Sequence, residues 1–229
     1  MIKLEHTVLP SSDQMQFVIE GMRNPMNSWD KSDSHTCRQD GAFCMECEHK
    51  NDYCLGENDH SLMQKLSYAG TDHRKFMRMM PVYVRITAPL YWWKEFDTYK
   101  VGTVTNSCST MHKIQEKEFT LDDFSHEHLV KPNLLDIIIE ILNSSRTIYN
   151  NYDNQSDKFK AKFSKKDVWW QMIQLLPTSY NQTRNVMLNY EVLTNIYNSR
   201  KNHKLDEWIE FCKWIEELPF SYLITHEAA

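Results

Sequence analysis

Two spacings of apolar residues organise the first half of the chain. Residues 2–8 and 81–87 alternate between apolar and polar side chains, which predicts two strands. A helix is predicted over residues 11–23, where a serine at the start offers an N-cap. We expect a second helix over residues 59–70, capped by an aspartate and ended by a glycine, and a third that begins at Pro89. The first half therefore carries most of the predicted strands.

Helical spacing of apolar residues dominates the second half. It predicts helices over residues 132–150, 167–176, 187–200 and 206–218, with a polar connector over residues 150–160. This arrangement is typical of an α+β fold with strands mainly in the N-terminal half and a helix-rich C-terminal half. We expect residues 1–229 to form a single domain of this class.

A Cys-rich loop at about residues 31–57 interrupts the first half, within a stretch that shows little periodicity. Four cysteines lie within 18 residues, two of them as a CxxC pair: Cys37, Cys44, Cys47 and Cys54. Such a set can ligate a tetrahedral zinc ion or an iron–sulfur cluster, and a bound metal would order a loop that lacks a core of its own. We expect a structural zinc site; four unrelated reduced cysteines are the alternative.

Composition and charge argue against several classes of function. The formal net charge of −5 does not provide the basic surface that nucleic-acid binding needs. The five glycines form neither a dinucleotide-binding nor a phosphate-binding loop. No apolar run approaches the ~18 residues of a membrane helix, and the first residues lack the zones of a secretory signal. We expect a cytoplasmic protein that binds neither nucleic acid nor membranes.

Two polar segments are candidates for ligand binding. Residues 90–100 interleave charged and aromatic side chains, and the hydroxyl-rich residues 103–110 could hydrogen-bond a phosphate, a ribose or a base edge. The alternative is an aromatic core followed by a polar strand. Asn189 and Arg200 are eleven residues apart, almost three helical turns, so they share one face of the predicted helix. Arg200 could make a forked contact with a pyrimidine carbonyl or a phosphate, or it could interact with its own helix C-terminus.

Several segments, in the same order along the chain, resemble the flavin-dependent thymidylate synthases. Glu5-His6-Thr7 is similar to the family's first strand, and residues 89–110 lie where the family has a tryptophan-bearing helix, an Arg-His-Arg signature and the strand after it. Further matches, most of them at the family's spacing, are Leu66–Gly70, Leu176-Pro177, Asn189, Asn195, Arg200 and Glu207-Trp208. The resemblance covers most of the chain apart from the Cys-rich loop and residues 112–165.

The resemblance implies a homotetramer that binds FAD and dUMP and converts dUMP to dTMP by reductive methylation. Methylene-tetrahydrofolate would donate the carbon, and FAD would carry the chemistry while the protein orients the pyrimidine. The cofactor-binding residues that it implies are Asn189, Asn195 and Lys100, and the substrate-binding residues are Glu95, Cys108, Ser109 and Arg200. The adjacent pairs Trp92-Trp93 and Trp169-Trp170 also suit a subunit interface.

The chain departs from the family's pattern at its signature, where Thr98-Tyr99-Lys100 stands in place of Arg-His-Arg. Lost arginines remove charge-assisted hydrogen bonds to a nucleotide phosphate. We therefore expect a remodelled or degenerate active site, and we assign no catalytic residue. The alternative function is that of a non-catalytic nucleotide- or flavin-binding protein with a regulatory or interaction role, which retains the fold.

Overall fold

The computed structural model of the chain describes residues 2–36 and 53–226. The strands are β1 (Lys3–Val8), β2 (His35–Thr36), β3 (Tyr53–Cys54), β4 (Pro81–Pro89), β5 (Val104–Ser107) and β6 (Asn181–Asn189). The α-helices are α1 (Ser12–Arg23), α2 (Glu57–Tyr68), α3 (Leu90–Phe96), α4 (Thr110–Lys113), α5 (Asn133–Asn150), α6 (Asp157–Lys162), α7 (Lys165–Leu175), α8 (Tyr190–Arg200), α9 (Asp206–Glu216) and α10 (Tyr222–Thr225). Short 3-10 helices lie at Asn24–Met26, Trp29–Lys31, Lys75–Met79, Leu121–Asp123 and Tyr152–Asn154. The predicted α+β class is confirmed, with β6 as the strand outside the N-terminal half.

Four strands form one sheet in the order β1-β4-β6-β5. In β4 the side chains of Val82, Val84 and Ile86 are buried, whereas Tyr83 and Arg85 between them are exposed. This is the alternation expected of a strand with one face on a core, because successive side chains point to opposite faces. A second sheet consists of β2 and β3, which pair in antiparallel fashion.

The chain divides into two compact units. The first unit comprises Met1–Lys3, Ile86–Thr98 and Asn106–Arg184. In this unit α5 packs against α7, and its core contains Ile114, Phe119, Phe124, Leu135, Leu142 and Met172. Trp92 and Trp93 in α3 are also fully buried. Their burial within the chain corrects the expectation that this pair serves a subunit interface, whereas Trp170 is 41% exposed.

The second unit comprises Leu4–Arg85, Tyr99–Thr105 and Asn185–Ala229. Helix α8 packs against α9 and α10 in this unit, and α10 packs against α2. The apolar stripe predicted for the last long helix is confirmed, because Trp208, Phe211 and Ile215 of α9 are wholly buried. Our prediction that residues 1–229 form a single domain stays a prediction.

The helix predicted over residues 187–200 begins later than expected. Residues Asn181–Asn189 form β6, which the sequence had not indicated, and α8 starts at Tyr190. Val186 and Leu188 are buried with Met187 only half-buried between them, which is a strand pattern. Asn189 therefore does not share a helix face with Arg200. It is the N-cap of α8, with extended backbone.

Two other helices have different caps from those predicted, and the three short helices α4, α6 and α10 were not predicted. Ser164 rather than Asp167 is the N-cap of α7, and the two residues form a reciprocal capping box. Gly56 rather than Asp59 is the N-cap of α2. The predicted polar connector over residues 150–160 contains the start of α6, which Ser156 caps.

Asp59 lies in the first turn of α2, where it is fully buried and accepts five hydrogen bonds. The donors are Arg23 Nε at 2.5 Å, the hydroxyls of Ser32 and Ser34 at 2.8 and 2.7 Å, and the backbone N–H groups of Asp33 and Ser34, both at 3.1 Å. We call these five residues the Asp59 clasp. Burial alone would raise the pKa of Asp59, but the hydrogen bonds from Ser34, Ser32 and Arg23 outweigh it and lower the pKa.

Candidate functional site

Arg200 lies at the end of α8, in the second unit, between two aromatic side chains. Its Nε donates a hydrogen bond of 2.9 Å to the hydroxyl of Tyr99. Its guanidinium carbon lies 4.9 Å from the ring centre of Trp208 and 5.7 Å from that of Tyr99. Contacts of a guanidinium with aromatic rings are attractive at these distances. Arg200, which the resemblance predicts to contact the pyrimidine, is therefore held in place by Tyr99 of the segment Thr98-Tyr99-Lys100.

Asn189 fixes the start of α8 and packs closely against the turn at Gly102. The Asn189 side-chain oxygen accepts a hydrogen bond of 3.0 Å from the backbone N–H of Val192, as an N-cap does. Gly102 has a φ of +78°, and a Cβ at this position would lie 2.9 Å from Nδ2 of Asn189. Only glycine combines this backbone conformation with so close an approach. The amide of Asn189 is thus committed to a structural contact, whatever else it binds.

Asn195 lies on the exposed side of α8, next to a buried ion pair. Arg74 Nε and Glu191 Oε2 are 2.7 Å apart, and their side chains are only 10% and 8% exposed. A second nitrogen of Arg74 donates to Oδ1 of Asn195 at 3.4 Å. Because the amide oxygen accepts this bond, the NH2 group of Asn195 is the part that remains for a ligand. Lys100, the third predicted cofactor residue, is exposed.

His226 lies near the same cluster in the second unit. Its ring lies 4.5 Å from that of Tyr68, centre to centre, and its backbone is left-handed. Burial lowers the pKa of His226, and the positive charge of Arg74 lowers it further. Both effects favour the neutral form of the imidazole.

Arg184 contacts three side chains of the first unit. Its guanidinium carbon lies 4.1 Å from the ring centre of Trp93, one terminal nitrogen donates to Asp97 Oδ1 at 2.7 Å, and Nε donates to Gln182 Oε1 at 2.9 Å. The amide of Gln182 in turn donates to the backbone carbonyl of Cys108 at 3.1 Å. These contacts fix the backbone of Cys108, whose side chain is exposed.

The remaining predicted substrate residues also lie in the first unit. Ser109 is exposed and caps α4, because its hydroxyl accepts a hydrogen bond of 3.1 Å from the backbone N–H of His112. Glu95 lies in α3 and is half-buried. The structure therefore places Glu95, Cys108 and Ser109 in one unit. It places Lys100, Asn189, Asn195 and Arg200 in the other.

Sequence analysis missed the residues that support the predicted ones. Arg74 and Glu191 had no assigned role in the predicted site, and the contact between Asp97 and Arg184 was not predicted. Arg74 and Asn195 are 121 residues apart, and Asp97 and Arg184 are 87 residues apart, so no local spacing indicates either contact. Glu191 gave a weak indication, since it is a charged residue in an otherwise apolar helical turn.

The predicted metal site falls mainly outside the described part of the chain. Cys37, Cys44 and Cys47 lie in residues 37–52, which are not described, whereas Cys54 lies in β3 opposite His35 of β2. Within residues 2–36 and 53–226, no group of three or more His, Cys, Asp or Glu side chains could hold a metal ion. The four-cysteine zinc site stays a prediction. In the same described ranges, no helix is long and apolar enough to cross a membrane.

Comparison with known proteins identifies the fold. No family model and no curated protein matches the sequence. The structure, however, superposes on that of thymidylate synthase X from Helicobacter pylori with FAD and dUMP, with a TM-score of 0.66 over 99% of this chain and 98% of that one. The chain has the thymidylate synthase X fold. A second structure of the flavin-dependent thymidylate synthase X from Helicobacter pylori, complexed with FAD and dUMP, gives a TM-score of 0.60 over 98% of both chains.

The chain shares the thymidylate synthase X fold with little sequence identity. The two comparisons give 15% and 14% identical residues. The predicted fold class is confirmed as that of the flavin-dependent thymidylate synthases. Fold alone does not fix function, so the roles of the individual site residues depend on their own chemistry.

Proposed function

We propose that this chain binds FAD and a pyrimidine nucleotide of the dUMP type, and that it methylates the nucleotide reductively in a remodelled site. The observation that carries the proposal is the match of nearly the whole chain to a fold whose two compared structures contain both FAD and dUMP. Because the match extends over 99% of this chain and 98% of that one, it supports binding of the same two ligands by this chain. We further propose that the protein is a homotetramer.

The three residues proposed for the cofactor differ in the group that each could offer to a flavin. Asn195 offers an NH2 donor, because Arg74 occupies its amide oxygen, and Lys100 offers an exposed ammonium group. Both are suited to the carbonyl and phosphate oxygens of FAD. Asn189 acts through its cap, which sets the start of α8. FAD, when bound, would supply the reducing equivalents, and the chain's own residues would bind and orient it.

The proposed nucleotide contacts are of two kinds: charged side chains, and residues whose positions are fixed by hydrogen bonds. Arg200 presents a guanidinium whose orientation is set by Tyr99 and Trp208. A fixed, planar guanidinium is suited to a forked contact with a pyrimidine carbonyl or a phosphate. In the first unit, the proposed contacts are Cys108 and Ser109, whose backbone and hydroxyl are held by Gln182 and by the α4 cap. Glu95 is the proposed acidic contact.

The test is a ligand series on the purified full chain. FAD binding is measured by the flavin absorbance of the protein and by fluorescence titration, and dUMP binding by calorimetry with dAMP as the matched purine control. We expect FAD and dUMP to bind and dAMP to bind at least tenfold more weakly. Formation of dTMP is then measured with methylene-tetrahydrofolate and a reductant for FAD.

Each outcome has a defined meaning. Binding of FAD and dUMP with dTMP formation supports the proposal as stated. Binding without dTMP formation would establish the alternative function, a nucleotide- or flavin-binding protein without catalysis. No binding of either ligand by folded protein would refute both functions. Equal binding of dUMP and dAMP would refute recognition of the pyrimidine.

A further inference from the structure

The guanidinium of Arg184, in β6, is held in a fixed position in the first unit. Its central carbon lies 4.1 Å from the ring centre of the buried Trp93. Nε donates to Oε1 of Gln182 at 2.9 Å, and Nη1 donates to Oδ1 of Asp97 at 2.7 Å. The ring restrains the guanidinium from one face, and the two hydrogen bonds restrain it in its own plane. A group held in this way loses little further freedom when it binds a ligand.

Most of the hydrogen-bond donors of Arg184 are not used by these contacts. A guanidinium carries five N–H groups, and Gln182 and Asp97 accept from two of them. Within residues 2–36 and 53–226 Arg184 makes no other hydrogen bond, so three N–H groups on Nη1 and Nη2 remain. The side chain is 13% exposed. Donors on two adjacent nitrogens form the fork that matches two oxygens of a phosphate.

The contacts of Arg184 connect it with the proposed nucleotide contacts. Gln182, which accepts from Nε of Arg184, donates to the backbone carbonyl of Cys108 at 3.1 Å. The backbone N–H of Cys108 donates to the carbonyl of Thr183 at 3.0 Å. The strand segment that carries Arg184 and the segment of Cys108 and Ser109 are therefore bonded to each other within one unit.

The first unit offers few arginines for a charged group of a nucleotide. It contains two, Arg146 and Arg184. Arg146 lies in α5, whereas Arg184 lies in β6, next to the residue that pairs with Cys108. The phosphate is the charged group of a nucleotide such as dUMP, and arginine is the side chain best suited to it. We propose that Arg184 binds the phosphate of the pyrimidine nucleotide, an inference that rests on the proposed function.

Asp97 sets the strength of this contact. Its carboxylate is 48% exposed and bonds the same guanidinium, so its negative charge opposes a phosphate there. Asparagine at position 97 would keep an oxygen that accepts from Arg184 and would remove the charge. The two partners therefore have opposite effects: loss of Arg184 weakens phosphate binding, and neutralisation of Asp97 strengthens it. An arginine that only joins α3 to β6 would show neither effect.

Calorimetric titration of the purified full chain with dUMP and with deoxyuridine, which lacks the phosphate, tests this role. The ratio of the two dissociation constants, deoxyuridine over dUMP, isolates the contribution of the phosphate. We expect Arg184→Met to lower this ratio at least about tenfold, and Arg184→Lys, which keeps the charge but not the fork, to lower it less. Asp97→Asn should raise the ratio.

Lys166→Met is the matched control, because it removes a positive charge from an exposed position of α7 in the same unit. It should change the ratio by less than about twofold, since solvent screens an exposed charge. The melting temperature of each variant shows whether it is folded. If Arg184→Met does not fold, Arg184→Lys decides in its place.

The outcomes separate this inference from the proposed function. A structural arginine would weaken binding of dUMP and deoxyuridine by the same factor, so an unchanged ratio in the Arg184 variants would overturn the inference. An unchanged or lower ratio in Asp97→Asn would overturn it too. In both cases a parent that binds dUMP leaves the proposed function standing. A folded parent that binds neither FAD nor dUMP would refute the proposed function and this inference together.

Discussion

Replacement of Asp59 by asparagine is expected to destabilise the second unit more than any surface substitution. The Asp59 clasp joins the first turn of α2 to α1 and to the residues before β2, so it holds both ends of the segment that contains the Cys-rich loop. Arg23 and Asp59 are 4% and 0% exposed. Neither charge can turn to solvent when the other is removed.

The magnitude follows from the burial of the pair. Removing one partner of a buried ion pair costs about 3–5 kcal/mol, because the remaining charge is left without compensation. Asparagine keeps the shape of Asp59, but its NH2 group faces donors where the second carboxylate oxygen accepted from Ser32 and Ser34. We therefore expect Asp59→Asn to lower the free energy of unfolding by about 3–5 kcal/mol. A typical domain has only about 5–15 kcal/mol in total.

Urea unfolding of the full chain, followed by tryptophan fluorescence, measures this loss. Glu57→Gln is the matched control, since Glu57 is an exposed carboxylate in the same first turn of α2. It should change the free energy of unfolding by less than about 0.5 kcal/mol. A loss below about 1 kcal/mol for Asp59→Asn, with the parent's m-value, would contradict the argument from burial.

The difference in free energy of unfolding between the parent and Asp59→Asn should also depend on pH. Because the folded-state pKa of Asp59 is lowered, its carboxylate stabilises the fold above the ordinary aspartate pKa of about 3.9. This contribution is lost as the pH falls from there through the folded-state value. The stability difference between parent and Asp59→Asn should therefore be constant near neutral pH and shrink below about pH 4.

Three further changes test the site and the metal prediction. Arg200→Ala should lower the melting temperature, because losing the bond to Tyr99 and the ring contacts lowers the free energy of unfolding by about 2 kcal/mol. The same change should weaken dUMP binding measured by calorimetry. Lys204→Ala, the control, should change neither the melting temperature nor dUMP binding. Gly102→Ala should cost about 1–2 kcal/mol in urea unfolding, since its φ of +78° and the approach of Asn189 both oppose a Cβ. Elemental analysis of fresh protein should find about one zinc per chain, and serine at all four positions should abolish it; protein without zinc or iron would refute the site. Those four positions are Cys37, Cys44, Cys47 and Cys54.

The sequence predicted elements well where one local pattern decides the structure. The strand at residues 81–87 follows from clean alternation, and α3 follows from Pro89, which is extended and directly precedes the helix. The stripe in α9 follows from 3.6-residue spacing with a single buried face. In each case the local preference and the tertiary environment agree, so the pattern alone was sufficient.

The prediction was wrong where two patterns overlap. Val186, Leu188, Tyr190 and Val192 are all buried, so a strand and the helix after it form one nearly continuous apolar stretch. Periodicity cannot locate the boundary in such a stretch. The boundary is set by Asn189, whose side chain caps α8. Asparagine at that position was a capping signal, but it was interpreted as a residue on the helix face.

Tyr99, in the segment Thr98-Tyr99-Lys100, is best understood together with Arg200 at the end of α8. The hydroxyl of Tyr99 accepts a hydrogen bond from Nε of Arg200, 101 residues away. Phenylalanine at position 99 would keep the ring and remove this acceptor, so the contact depends on the phenolic oxygen. Sequence analysis left open whether Arg200 contacts a ligand or only its own helix C-terminus. A guanidinium that a distant side chain orients is positioned by more than its own helix, and this coupling supports the proposed ligand contact at Arg200.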